Sequence, residues 1–258
     1  MFHINYINMK LGLLIPTTSC GRSWKSARDT YFYNYTFKSF IDTNSNNLVL
    51  KYKEHQEHRE LLKPISQFIF YLGIDRGDTV LDTDEFRTEI NTLISKYENV
   101  SVSYLYSDNI KKGHLTAIWN MLFKTAYNDN CDYFFQCGDD IGFITNGWVN
   151  DSITTLQTNK NIGLTGPVNC NGNTAILTQS FVSRTHYDLF GYYFPEEITN
   201  WYCDDWINIV YRKLNSCFPL TNHKCINRGG IERYNIVHCR ELCVQLADRD
   251  YTRVLQKS

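Results

Sequence analysis

Residues 132–141, DYFFQCGDDI, constrain this chain more than any other stretch. Tyr133, Phe134 and Phe135 form an aromatic run of the kind that fills a buried strand. The run passes through Gly138 and drops into two adjacent acids, Asp139 and Asp140. A buried strand with that ending puts hard oxygen ligands at the carboxyl edge of a sheet. Open α/β sheets bind their ligands at that edge. Neighbouring carboxylates repel each other unless a cation or a proton lies between them. A divalent ion holding a nucleotide diphosphate is one reason for such a pair. Asp-Asp after a strand also makes turns and N-caps, so the surrounding pattern has to decide.

That pattern alternates. Residues 10–16 (KLGLLIP) read as a first strand closed by Pro16, followed by the loop Thr17-Thr18-Ser19-Cys20-Gly21-Arg22. Residues 26–40 carry Tyr33, Phe37 and Phe40 at helical spacing. Residues 67–74 (QFIFYLGI) are a second strand ending in Asp75, residues 84–97 a helix, residues 100–106 (VSVSYLY) a third strand and residues 113–126 a helix. Strand–helix repetition of this kind predicts a parallel sheet flanked by helices. Right-handed crossovers then bring the loops holding Thr17, Asp75 and Asp139 to one rim. In the second half, residues 147–156 read as a helix, 161–168 and 175–182 as strands, and 184–190 as a short helix. Trp201-Tyr202-Cys203-Asp204-Asp205-Trp206 opens a late helix, and a last helix runs from about 240 to 255. There is no low-complexity linker and no internal repeat. The expectation is a single α/β domain, with a nucleotide-binding half at about 10–145 and an acceptor half at about 146–258.

Bulk properties narrow the partners. With 26 Lys+Arg against 27 Asp+Glu the net charge is −1, which gives no general attraction to nucleic acid or to an anionic membrane. A hydrophobic fraction of 43% supplies a sizeable core. No apolar run approaches the roughly 18 residues that span a bilayer, and the polar opening, residues 1–10, does not read as a signal peptide. The 9 cysteines are scattered and contain no Cys-x-x-Cys pair, which points to free thiols in a reducing, cytoplasmic setting.

A strand ending in an acid pair, a Gly-Trp helix, a Gly-Pro strand and a second acid pair opening a late helix together resemble the GT-A type glycosyltransferases. The order of motifs over residues of about 10 to 240 carries the resemblance, and within the class the likeness is to glycosyltransferases of large DNA viruses and algae. The class usually carries Asp-x-Asp, whereas the first position here is Gly138. By resemblance, Asp140 coordinates Mn²⁺ or Mg²⁺, and Asp139 contacts the ribose or the metal. Pro16, Thr17, Thr18, Ser19 and Asp75 touch the base and ribose; Arg22 and Lys112 lie near the diphosphate. A late His238 adds a metal ligand, with His223 as its rival, and Arg228 and Arg233 close over the donor. Asp205, with Asp204 beside it, removes the proton from the acceptor hydroxyl. Each has a plainer structural reading: a hydroxyl-rich turn, a helix cap, a solvated lysine, a structural histidine.

The resemblance implies a metal-dependent, inverting transfer from a nucleoside-diphosphate sugar, most simply a UDP sugar, to a glycan or other hydroxyl acceptor. A retaining transferase, a sugar-nucleotide pyrophosphorylase and an inactive sugar-binding module are the alternatives, the last favoured by Gly138. The sugar, the acceptor and the oligomeric state have no readable code.

Overall fold

The computed structural model describes residues 9–51, 65–229 and 234–257. Strand β1 (Lys10–Thr17) is followed by a single 3₁₀ turn (Ala27–Asp29), a π-helical segment (Phe32–Phe37) and α1 (Lys38–Thr43). Then come β2 (Gln67–Ile74), α2 (Asp84–Ile94), β3 (Val100–Tyr106), α3 (Leu115–Asn128) and β4 (Tyr133–Gln136). The second half runs β5 (Ile141–Phe143), α4 (Trp148–Thr158), β6 (Leu164–Asn169), β7 (Ser180–Ser183), α5 (Thr185–Phe190), α6 (Cys203–Lys213), β8 (Cys217–Asn227) and α7 (Arg240–Lys257).

All eight strands join one sheet in the order β3-β2-β1-β4-β7-β6-β8-β5. The first four are mutually parallel; β7 pairs antiparallel with β4 and β6, and β5 antiparallel with β8. The chain therefore moves outward from β1 to β3 and then returns to the other side of β1 at β4. That reversal opens a crevice beyond the carboxyl ends of β1 and β4, the standard ligand position of an open α/β sheet.

Period-2 alternation assigns the strand side chains to two cores. Leu11, Leu13 and Ile15 of β1, with Phe68, Phe70 and Leu72 of β2, meet Phe40, Phe86 and Trp148 from α1, α2 and α4. Leu14 and Tyr71 meet α3, α6 and α7 on the opposite face. The result is a three-layer α/β/α sandwich, as the alternating pattern predicts. Gly73 shows how closely α3 seats: a Cβ there would come within 2.6 Å of Ile118 Cγ2.

Local departures have local causes. The stretch expected as one helix over 26–40 is broken into 3₁₀, π and α pieces, because Thr30 folds its hydroxyl onto the Ala27 carbonyl (2.6 Å) and ends the first turn. The strand expected over 175–182 shrinks to Ser180–Ser183. Asn208 of α6 takes both backbone groups of Leu177 (3.0 and 2.8 Å), which removes that residue from the ladder. Strand β8 was not legible, having only two buried residues and being interrupted by Pro219.

Candidate active site

A cleft of about 590 Å³ opens at the β1/β4 reversal. On its β1 side, Pro16, Thr17 and Thr18 line it, as does Asp75 at the end of β2. Asp75 accepts the Ser107 hydroxyl at 3.1 Å. Lys112 lines the cleft just before α3, and its hydrogen bond to Cys20 holds its ammonium above the usual lysine range.

Ser19 and Arg22 do not line it. The backbone N–H and the hydroxyl of Ser19 both donate to Asp78 at 2.7 Å, and Thr18 donates to the same carboxylate at 3.3 Å. Burial raises the Asp78 carboxyl, but the bonds it accepts from Leu81, Ser19 and Val80 outweigh that and hold it below the ordinary range. Asp78 thus ties down the β1 loop, a role the sequence reading missed; its place three residues past the end of β2's Asp75 was the available signal. The Arg22 guanidinium lies 4.9 Å from the Tyr31 ring centroid.

The acid turn after β4 is built from three directions. Asp139 is fully buried, does not line the cleft and accepts the Thr17 hydroxyl at 2.7 Å. That bond clamps the end of β1 to the end of β4 across the reversal. From the π-helical segment, buried Thr36 donates to the Gly138 carbonyl (3.4 Å) and accepts the Ile141 N–H (3.1 Å). Ser39 of α1 accepts the Phe143 N–H at 2.9 Å. Thr36 had no sequence signature, since its partner lies 102 residues away. π-Helical turns recur beside functional sites.

Asp140 lines the cleft, and its backbone carbonyl accepts the Arg228 N–H at 2.9 Å. Its carboxylate occupies space that only glycines leave open. A Cβ at Gly138 would come within 2.5 Å of Oδ1, and one at Gly229 within 1.8 Å of Oδ2. Gly138 thus leaves room for the next-but-one carboxylate in its present position.

The second acid pair lines the same cleft from the first turn of α6. Burial pushes the Asp204 carboxyl up to about 6, and the charge of Asp205 adds to the rise. Asp204 Oδ1 accepts the Asp205 N–H at 3.1 Å. The residue capping this helix, Tyr202, is held at φ 74°, where a bulky side chain is strained. Cys243 donates its thiol to the Tyr202 carbonyl at 3.4 Å, bracing that turn from α7.

The histidines lie elsewhere. His238 sits 6.3 Å from the ring centroids of both Trp201 and Tyr202 and does not line the cleft. His223 bonds Asp151 (2.7 Å) and Thr145 (3.1 Å), a structural role on β8. The Arg228 guanidinium lies 5.8 Å from the Tyr35 ring, and Arg233 falls outside the described residues. Among the described residues, no group of three or more His, Cys, Asp or Glu side chains could hold a metal ion. The set Asp139, Asp140 and His238 is thus not gathered at one point: one is sealed in the interior and one lies beside Trp201 and Tyr202, outside the cleft lining.

A mixed α/β sheet whose parallel strands run in the order 3-2-1-4, with helices on both faces and a carboxylate turn at its reversal, is a fold of the GT-A type. Among solved structures, S. aureus TarS 1–349 in complex with UDP-GlcNAc matches with TM-score 0.57 and 12% identity, over 94% of this chain and 66% of that one. S. aureus TarS matches with TM-score 0.56 and 13% identity, over 94% of this chain and 39% of that one. The chain spans less than two thirds of either, and at such identity the likeness is one of fold. No protein-family model matches the chain, and no curated protein does. Among the described residues, no helix is long and apolar enough to cross a membrane.

Proposed function

We propose that this chain is a metal-dependent, inverting glycosyltransferase that moves a sugar from a nucleoside-diphosphate donor, a UDP sugar, to an acceptor hydroxyl. The shared lining of one cleft by Asp140 and by the Asp204–Asp205 pair carries this reading. The match to a UDP-GlcNAc complex of the same fold supports the choice of donor. We further read the nine unpaired cysteines as those of a cytoplasmic protein.

Charge supports the metal. The described cleft residues include Asp75, Asp140, Asp204 and Asp205 against Lys112 alone. Such a surface repels a diphosphate unless a cation is taken up with it. Mn²⁺ or Mg²⁺ suits the donor set: these hard ions use one or two protein carboxylates and complete their shell with phosphate oxygens and water. Asp140 would hold it, in the space kept by Gly138 and Gly229, and it would neutralise the charge developing on the leaving diphosphate. Asp139 acts through Thr17, holding the turn in place.

The transfer then follows from the acid pair. The acceptor oxygen attacks the anomeric carbon while its proton passes to an α6 carboxylate. The bond from that carbon to the phosphate oxygen breaks, the nucleoside diphosphate leaves with the electron pair, and the anomeric centre inverts. A base needs proton affinity close to the working pH. On that ground Asp204, raised to about 6, is the stronger base, with Asp205 maintaining the rise by its charge. At Gly138, which left an inactive module open, a side chain would displace the Asp140 carboxylate from its present position, which supports reading the glycine as part of a working site.

Thermal unfolding with UDP, GDP or CMP, each with Mn²⁺ or with EDTA, tests the donor. Ligand at about a hundredfold over Kd stabilises by roughly 2.7 kcal/mol. A Mn²⁺-dependent shift with UDP is expected; no shift with any of the three would sink the reading.

A further inference from the structure

Gln136 and Gln179 are nearly closed off, 3% and 6% exposed, yet both line the cleft. They are neighbours across the sheet. Gln136 ends β4 opposite Ser180, and Gln179 precedes Ser180 in sequence. Each carboxamide is anchored at one end only. Gln136 Oε1 accepts the Ser180 hydroxyl at 3.0 Å, and that hydroxyl also meets Tyr193 Oη at 3.0 Å. Gln179 Oε1 accepts the Thr178 hydroxyl at 3.0 Å and the Cys225 thiol at 3.5 Å. Their NH₂ ends have no partner among the described residues. Neither is among the sealed, unpartnered polar atoms, which include the indole N–H of Trp119, another cleft-lining residue. The open side of both amides is therefore the cleft.

Buried amides oriented by their own networks are costly unless a ligand completes them. They lie four residues before Asp140 on one strand, and two residues beyond the Leu177 backbone held by α6 on the other. They share the cleft lining with both acid motifs, where the reacting sugar of the proposed transferase must lie. Amide donors match hydroxyl oxygens, and the nearby carboxylates accept hydroxyl protons but repel other anions. Among the described residues no arginine lines this cleft.

We infer that Gln136 and Gln179 bind the hydroxyls of the transferred sugar and select an uncharged ring over one bearing a carboxylate. This assignment rests on the nucleotide-sugar reading above. It predicts that, with Mn²⁺, the best of UDP-glucose, UDP-galactose and UDP-N-acetylglucosamine binds at least tenfold tighter than UDP-glucuronate, measured by calorimetry. Gln179→Leu and Gln136→Leu should each weaken that neutral donor about tenfold while leaving UDP affinity, the control for folding, within threefold. If Gln136→Leu fails to fold, Gln179→Leu and the glucuronate comparison still decide. Equal binding of UDP-glucuronate, or folded variants that keep the neutral sugar's advantage over UDP, would overturn the assignment. Failure of the unaltered chain to bind UDP at all would mark a different failure, that of the nucleotide-sugar reading beneath it.

Discussion

The chain uses the dipeptide Asp-Asp twice at one cleft, and the two copies behave differently. After β4, one acid is buried against Thr17 and the other is folded into space left by two glycines. At α6, both acids face the cleft from a helix N-terminus whose capping residue is strained, and burial raises Asp204 to about 6. The first pair divides into a buried clamp and a cleft-lining carboxylate, the one proposed above to hold a cation. The second is a coupled pair in which one member keeps a proton more readily. Identical side chains acquire different chemistry because burial, hydrogen bonding and like charge act on them in different proportion.

The largest effect should come from breaking the second pair. Asp204→Asn is expected to lower transfer by about 10²–10⁴-fold, with Mn²⁺-dependent UDP binding unchanged. If Asp205→Asn alone abolishes transfer instead, the base has been assigned to the wrong member. In the unaltered chain, transfer at subsaturating substrate should fall as pH drops below about 6, where Asp204 takes up its proton.

The same substitution should stabilise the fold. Asp204 is raised from 3.8 to about 6, so the folded state binds the proton more tightly than the unfolded one. Its ionisation therefore costs stability, growing from nothing below pH 3.8 to its full size above about 6. Asp204→Asn removes that cost, by at most about 3 kcal/mol at pH 7.5. Equal melting temperatures for variant and parent at pH 7.5 would show that Asp204 is not raised.

Gly229→Ala probes the first pair. The new methyl would fall within 1.8 Å of the Asp140 carboxylate, the mobile end of a side chain, so the carboxylate moves and the fold survives. Misplacement on this scale costs about 10²-fold in rate; the Mn²⁺-dependent transfer rate should show the loss while the melting temperature without ligand is kept. Thr17→Val should act in the opposite way. It strips a donor from buried Asp139 at a cost of about 1–3 kcal/mol in stability, readable by urea unfolding. A variant as stable as its parent would mean that the clamp contributes nothing.

Much of the architecture was legible because it depends on local pattern. β2 and β3 begin and end where the apolar runs do, at Gln67–Ile74 and Val100–Tyr106. The cleft residues at strand ends, Pro16, Thr17, Asp75 and Asp140, follow from topology, since a parallel sheet gathers its strand-end loops on one rim. Ser19 and Arg22 belong to the same loop, but Asp78 holds Ser19 and Arg22 lies near the Tyr31 ring, and neither contact has a local signature. His238 illustrates the same limit: its late position fits a ligand, while Trp201 and Tyr202 stand against its ring.

By itself, then, the order of residues determined the layers, the parallel half of the sheet and the rim on which the acids gather, because periodicity and chain handedness act over short distances. Which acid is buried, which is raised and which meets the cleft was decided only by the assembled structure. Thr17 reaches Asp139 across 122 residues and Thr36 reaches Gly138 across 102. Proton affinity and steric room depend on everything packed around a group, and those neighbours come from distant parts of the chain.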